Sequence, residues 1–160
     1  MIIETGRQLP TPAQKRMVRA VADDSFMNSL PKDIGNVPCG DRWRHDVTTG
    51  ITLRMRSVDP HKDDWVGCGP RPLRYAAVFW LVDMPRYSLP IILQVGAVIH
   101  KMVPGDYVIF DDRVLHSVVA HNVWYGCAYQ VRPIAARAKA MMPEKIASKT
   151  AGVTHAKVLA

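Results

Sequence analysis

Short runs of alternating apolar and polar residues, bounded by glycine or proline, make up most of the chain after residue 50. In the run at 51–58, Ile51, Leu53 and Met55 alternate with polar side chains, which is the two-residue period of a β-strand with one buried face. Further strand-like runs are LRYAAVFWLVD from residue 73, IILQVGAVIH at 91–100, YVIFDD, LHSVVAH and VWYGCAYQVRP. The pattern predicts a mainly β domain, a sandwich or barrel of antiparallel strands.

One helix is predicted before these strands, at residues 11–30. Thr11 is the expected N-cap, Pro12 takes the first helical position, and Gln14 completes a capping box three residues after the cap. An apolar stripe at the spacing of one helix face follows, formed by Met17, Val18, Val21 and Ala22. We expect the helix to end at Pro31 and to pack on the β domain as a support.

The segments on either side of the predicted strands differ from them in composition. Residues 31–50 are rich in glycine and proline, which predicts a loop with a short strand near Trp43. Residues 134–160 are rich in alanine and lysine and lack aromatic side chains, so we expect a short helix interrupted at Pro143 and a partly mobile tail. We therefore expect a single domain with its core strands at 51–132.

Composition narrows the class of protein. The longest apolar run, at 75–82, is far shorter than the roughly 18 residues of a membrane helix, and no basic start followed by an apolar segment marks a secretory signal. A cytoplasmic protein is expected. Three cysteines stand far apart without a C-x-x-C pair, which predicts neither a zinc ribbon nor a disulfide framework. The net charge of +7 favours an approach to polyanions, although the basic residues form no block.

Candidate metal ligands lie in two separate stretches. In SVDPHKDDWVG, His61 and Asp63 stand two residues apart, so their side chains share one face of an extended segment. The later stretch VPGDYVIFDDRVLHSV supplies His116. Two imidazoles and one carboxylate that leave coordination positions open are typical of non-haem Fe(II) oxygenases. Asp64 and His121 are alternative ligands, but Asp64 would face away from His61 and His121 lies in a predicted turn.

The stretches PHKDD, YAAVFWLVD and VPGDYVIFDDRVLHSV resemble the Fe(II)/2-oxoglutarate-dependent dioxygenases, over about residues 51 to 132. The resemblance implies a double-stranded β-helix, a jelly-roll barrel with the metal at one open end. It also implies that Fe(II) and 2-oxoglutarate are the cofactors, that dioxygen is consumed, and that the products are succinate, carbon dioxide and a hydroxylated substrate.

The resemblance further implies a cation that binds the far carboxylate of 2-oxoglutarate, and an arginine suits this role because its planar fork binds a carboxylate bidentately. Arg132, sixteen residues after His116, is the first candidate, and a hydroxyl of Tyr125 or Tyr129 could bind the same carboxylate. The alternatives for the anchor are Arg137, Arg54 and Arg56.

The substrate stays open at this point. Arg71 and Arg74 are candidate contacts at the barrel mouth, where they could bind a phosphate of nucleic acid or a nucleotide, and a protein side chain is an equal alternative. Arg113 could form a local salt bridge or face the substrate at the same place. A second hypothesis is a catalytically inactive barrel of the same fold that binds nucleic acid or protein. A cupin-type metalloenzyme ranks last, because cupins usually bind metal through closely spaced histidines in an H-x-H pattern, which is absent here.

Overall fold

The computed structural model describes residues 2–63 and 76–134, with the side chains of 46–49 left out. Its elements, in chain order, are β1 (Ile2–Arg7), α1 (Pro12–Asp24), β2 (Met27–Ser29), β3 (Trp43–Met55), β4 (Val58–His61), β5 (Ala76–Asp83), β6 (Ile91–Val95), β7 (Val98–Met102), β8 (Asp106–Phe110), β9 (His116–Val119) and β10 (Trp124–Pro133). Strands far outnumber the single helix of this described part, so the prediction of a mainly β protein is confirmed.

The strands form two sheets in which every pairing is antiparallel. The larger sheet has six strands in the order β1-β8-β5-β10-β3-β2, and the smaller has four in the order β4-β9-β6-β7. Along the chain, strands three to ten therefore pass repeatedly from one sheet to the other. This exchange brings β4 and β9 side by side although more than 50 residues separate them in sequence.

Helix α1 begins as the sequence predicts and ends earlier. The Thr11 hydroxyl accepts a hydrogen bond from the Gln14 backbone N–H at 3.1 Å, and the Gln14 side chain accepts one from the Thr11 backbone N–H at 2.9 Å, which is a complete capping box. The helix ends at Asp24, because Ser25 is extended and residues 27–29 pair with β3 as a short edge strand. The predicted end at Pro31 is therefore wrong.

Two apolar layers cover the two faces of the six-stranded sheet. One layer lies under α1 and includes Val18, Trp80 and Tyr129; the other lies between the sheets and includes Phe79 and Trp124. Successive residues of β10 alternate between the layers: Tyr125, Cys127, Tyr129 and Val131 belong to the first, and Trp124 and Ala128 to the second. Only every second residue of β10, the even-numbered ones, therefore faces the space between the sheets.

Several strands depart from the pattern read from the sequence. The run at 91–100 is not one strand, since Gly96, at φ 58°, turns the chain back between β6 and β7. The short strand expected near Trp43 and the strand expected from residue 51 form one continuous strand, β3, and β1 at the N-terminus was not predicted. The predicted turn at 104–106 is present, with Gly105 at φ 101°.

The helix and tail expected after residue 134 lie outside the residues that the structure describes. Within the described ranges, no helix combines the length and the apolar character that crossing a membrane requires.

Candidate metal centre

His61 and His116 face each other across two neighbouring strands. His61 ends β4 and His116 begins β9, and the two residues are direct partners in the antiparallel register. Their ring centroids are 4.3 Å apart. Asp63 follows two residues after His61, and its backbone N–H donates to the Asp112 carbonyl at 3.0 Å. This backbone bond ties the segment after β4 to the turn that precedes β9.

The donor atoms of His61, Asp63 and His116, hereafter the triad, converge. One carboxylate oxygen of Asp63 lies 3.3 Å from Nε2 of His61, and the other lies 3.5 Å from Nε2 of His116. One donor atom from each residue can be chosen so that all three lie within 4.8 Å of one another. Donors about 2.1 Å from one ion and at right angles to each other are about 3 Å apart. The triad is therefore close to the spacing that a single bound cation imposes.

Both imidazoles are oriented by a backbone carbonyl that accepts from Nδ1. Nδ1 of His61 lies 2.8 Å from the Asp59 carbonyl, and Nδ1 of His116 lies 2.8 Å from the Val114 carbonyl. Because a carbonyl oxygen only accepts, each Nδ1 must carry the proton and donate it. Each ring then directs Nε2 at the other triad members, and such outer hydrogen bonds orient histidine ligands in metal sites.

The triad is shielded on one side and open on the other. The side chain of His116 is 7% exposed, whereas those of His61 and Asp63 are 40% and 37% exposed. Burial lowers the pKa of His116, but the hydrogen bonds to Asp63 and to the Val114 carbonyl, with the charges of Asp63 and Asp112, raise the pKa above its usual value. In the metal-free protein a proton therefore takes the place of the cation more readily than on an ordinary imidazole.

The turn before His116 is braced by an ion pair. The Arg113 guanidinium donates to both carboxylate oxygens of Asp111, at 2.7 and 3.0 Å. Burial raises the pKa of Asp111, but the hydrogen bonds from Arg113 and its charge outweigh burial and lower the pKa. Phe110 sets its ring edge-on to His116, with centroids 5.0 Å apart. Of the two roles expected for Arg113, a local salt bridge and a substrate contact, the structure shows the local salt bridge.

The triad lines one part of a cavity of about 450 Å³ between the two sheets. The remaining wall is apolar, with Phe79 and Trp124 from the six-stranded sheet and Leu93 and Val118 from the four-stranded sheet. Among the described residues that form this wall, Asp59 is the single charged side chain outside the triad, and no lysine or arginine contributes. A ligand in the cavity therefore meets the donor atoms of the triad, the Asp59 side chain and otherwise apolar groups.

The structure does not bring the predicted tyrosines to the triad. The Tyr125 hydroxyl donates to Asp23 of α1 at 2.6 Å, and the Tyr129 hydroxyl donates to the Pro38 carbonyl. Both rings belong to the layer under α1, across the sheet from the cavity. Strand parity, which one sequence does not fix, places them there.

The predicted anchor Arg132 lies at the far end of β10. By alternation it stands on the cavity side of the sheet, beside its cross-strand partner Arg44. Both side chains are exposed, and neither forms part of the cavity wall. Of the alternatives, Arg54 lies near Asp23 on the α1 side, with N and O 3.5 Å apart, and Arg56 is exposed.

Other predicted residues are placed elsewhere or lie beyond the described ranges. His121, the alternative ligand, is exposed in the turn between β9 and β10 and is not one of the converging donors. The candidates Asp64, Arg71, Arg74 and Arg137 are outside the described residues.

Sequence reasoning missed the two carbonyls that orient the imidazoles. Each belongs to the residue two positions before its histidine, Asp59 for His61 and Val114 for His116. Backbone acceptors carry no side-chain signature, so no residue type in the sequence could have indicated them.

The sequence matches no protein-family model and no curated protein. The case for this site therefore rests on the geometry of its own residues.

Proposed function

We propose that the chain is an Fe(II)-dependent dioxygenase of the hydroxylase type, which uses a 2-oxo acid as co-substrate. The observation that carries the proposal is the convergence of the triad with both Nε2 atoms directed inward. A facial set of two histidines and one carboxylate is the ligand set of non-haem Fe(II) oxygenases. Structural zinc sites, by contrast, are closed by four ligands and commonly include cysteine.

The fold supports a double-stranded β-helix. Strands β8-β5-β10-β3 are consecutive neighbours in one sheet and β4-β9-β6-β7 form the other, and this pairing supports the proposal of an eight-stranded jelly roll. In this arrangement β1 and β2 extend the larger face at its two edges. In that barrel the triad would lie at an open end, since the side chains of His61 and Asp63 are partly exposed.

Bound Fe(II) would supply the chemistry of dioxygen, in which one oxygen atom enters the substrate and the other enters the acid formed when the 2-oxo acid loses carbon dioxide. The atoms balance as R–H + R′COCOOH + O₂ → R–OH + R′COOH + CO₂. The protein holds the reacting partners and excludes water from them.

The members of the triad would have different roles in this hydroxylation reaction. His116 is the fixed ligand, since it is buried and packed against Phe110. His61 and Asp63 lie on the exposed side, where a substrate can approach. The backbone bond from Asp63 to the Asp112 carbonyl and the pair Arg113–Asp111 keep the two ligand-bearing segments together.

The test begins with anaerobic Fe(II) titration of the full chain, followed by carbon dioxide release from 2-oxo acids labelled at C1. We expect one ion per chain and loss of at least about 100-fold in Fe(II) affinity on His116→Ala, because removing a ligand should cost at least as much as removing its outer support. The matched control is His121→Ala, which removes an exposed imidazole outside the triad. Equal affinities for the two variants would contradict the proposal.

A catalytically inactive barrel that binds nucleic acid or protein is the second candidate. It is favoured by one observation, namely that the described cavity wall offers no lysine or arginine to 2-oxoglutarate. Stoichiometric Fe(II) binding without decarboxylation of any 2-oxo acid would favour the inactive barrel over the dioxygenase.

A further inference from the structure

We propose that the cavity selects a 2-oxo acid with an apolar branched or aromatic tail, in preference to the dicarboxylate 2-oxoglutarate. The inference rests on the proposed function, because it takes the 2-oxo acid head to chelate a metal at the triad. Its own basis is the wall of the cavity, which would enclose the tail.

The wall contains no partner for a second carboxylate within the described residues. Its side chains away from the triad come from both sheets and include Leu53, Phe79, Leu93, Val118 and Trp124. A carboxylate buried among such groups loses its hydration and gains no hydrogen bond. Each methylene group or ring of an apolar tail, by contrast, adds binding free energy when it moves from water into the apolar cavity.

Strand β10 has no room for a larger side chain at Gly126, between the wall residues Trp124 and Ala128. At Gly126, a Cβ would lie 2.9 Å from the Phe79 ring and 2.9 Å from the Trp80 carbonyl oxygen. Phe79 and Trp124 meet edge to face beside it, with ring centroids 5.1 Å apart. The next residue of β10 on this face that lines the cavity is Ala128, which leaves space in front of it.

The charges near the triad point the same way. Asp59 lines the cavity outside the triad, and its carboxylate repels a second negative group more than a neutral tail. A monocarboxylic 2-oxo acid brings one negative charge, which the bound cation neutralises. Branched or aromatic acids such as 4-methyl-2-oxopentanoate and phenylpyruvate match both the single charge and the mixture of aliphatic and aromatic wall residues.

The experiment compares binding of these two acids with binding of 2-oxoglutarate to the full chain loaded with Mn(II), by isothermal titration calorimetry under anaerobic conditions. We expect the apolar acids to bind about tenfold or more tightly, since unpaired burial of a polar group discriminates at least that strongly. Equal or tighter binding of 2-oxoglutarate overturns the inference.

Two variants locate the effect. Ala128→Phe fills the cavity and should weaken binding of both apolar acids about tenfold or more while leaving Mn(II) affinity unchanged. The matched control Val119→Phe adds a ring at an exposed position of β9 and should leave binding unchanged. Met27→Arg introduces a cation at a partly exposed position of the wall. It should reduce the ratio of the affinity for the apolar acids to the affinity for 2-oxoglutarate. Unchanged acid binding in Ala128→Phe, with the native circular dichroism spectrum retained, also overturns the inference.

Failure of the proposed function gives a different result. If Mn(II) and Fe(II) do not bind, the metal centre is refuted, and saturation-transfer NMR with the same three acids on the metal-free chain then decides the inference. A preference for the apolar acids that Ala128→Phe removes supports an apolar cavity, and no preference overturns it.

Discussion

The imidazoles of His61 and His116 stand as direct cross-strand partners, 4.3 Å apart between centroids, and each donates its Nδ1 proton to a backbone carbonyl two residues earlier. Partners across an antiparallel pair hold their Cβ atoms about 4.5–5.5 Å apart, so the pairing of β4 with β9 fixes the separation of the rings. Two protonated imidazoles at this separation would repel each other. The arrangement is therefore suited to one cation shared with Asp63.

Metal affinity should fall with decreasing pH, and the fall should begin above the pH expected for ordinary histidine. Metal binds the neutral imidazole, and the pKa of His116 is raised, so protons compete from above about 6.5 downward. Mn(II) titrations between pH 6 and 8.5 measure this. An affinity that stays constant across this range would argue against His116 as a ligand.

The stability of the metal-free protein should change with pH in the opposite direction to the metal affinity, and rise as the pH falls. The pKa of His116 is raised in the folded state. His116 therefore adds stability below its unfolded pKa of about 6.5, and this stability is lost as the pH rises through the folded pKa. Urea unfolding of the metal-free chain and of Asp63→Asn across the same range tests this, because the variant removes the carboxylate that pairs with protonated His116. The two pH profiles should differ, and identical profiles would contradict the ion pair.

Arg113→Ala should loosen the turn that carries His116. The pair with Asp111 is partly exposed, with side chains 30% and 27% accessible, so its loss should lower the free energy of unfolding by about 1 kcal/mol or less. The pKa of Asp111 is lowered in the folded protein, so the pair stabilises above the unfolded pKa of about 3.9 and is lost as pH falls through the lower folded pKa. Urea unfolding at pH 7 should thus distinguish the variant from the parent more than unfolding at pH 2.5 does.

The control for that variant is Arg16→Ala, an exposed arginine in the middle of α1. It changes the net charge equally but should leave the affinity for Mn(II) unchanged, whereas Arg113→Ala should weaken it. A weaker Mn(II) affinity of the same size in both variants would mean that overall charge, and not the turn, is responsible.

Tyr125→Phe should lower stability without affecting any 2-oxo acid. The hydroxyl hydrogen-bonds to Asp23 on the α1 side of the sheet, and its loss should cost about 1 kcal/mol. Calorimetric titration of the Mn(II)-loaded variant should give the parental affinity for each 2-oxo acid. A loss of 2-oxo acid binding would place the hydroxyl in the cavity, against the observed packing.

The sequence indicated those features that depend on local spacing. The His61 and Asp63 pair, the capping box of Thr11 and Gln14, and the turn at Gly105 each follow from residue types a few positions apart. The stretch around His116 marked this residue as a candidate ligand, but nothing in it showed that His116 lies near His61 and Asp63. The pairing of β4 with β9 brings them together.

Features that depend on neighbouring strands were not predicted. Nearly every position of β10 is buried, so the sequence shows no alternation that would indicate which face each side chain takes. The packing of α1 on one face and of the second sheet on the other places Tyr125 and Tyr129 on the α1 side. Strand β1 exists because its backbone pairs with β8. The hairpin at Gly96 was missed because its turn interrupts the apolar run by a single glycine.

X-ray absorption of the Fe(II)-loaded chain tests the metal centre most directly. The proposal predicts one ion per chain with nitrogen and oxygen ligands at about 2.0–2.2 Å, two of the nitrogens from imidazole, and loss of one imidazole contribution in any His116→Ala protein that still retains iron. A bound ion with no imidazole ligand, or a spectrum that His116→Ala leaves unchanged, would contradict it.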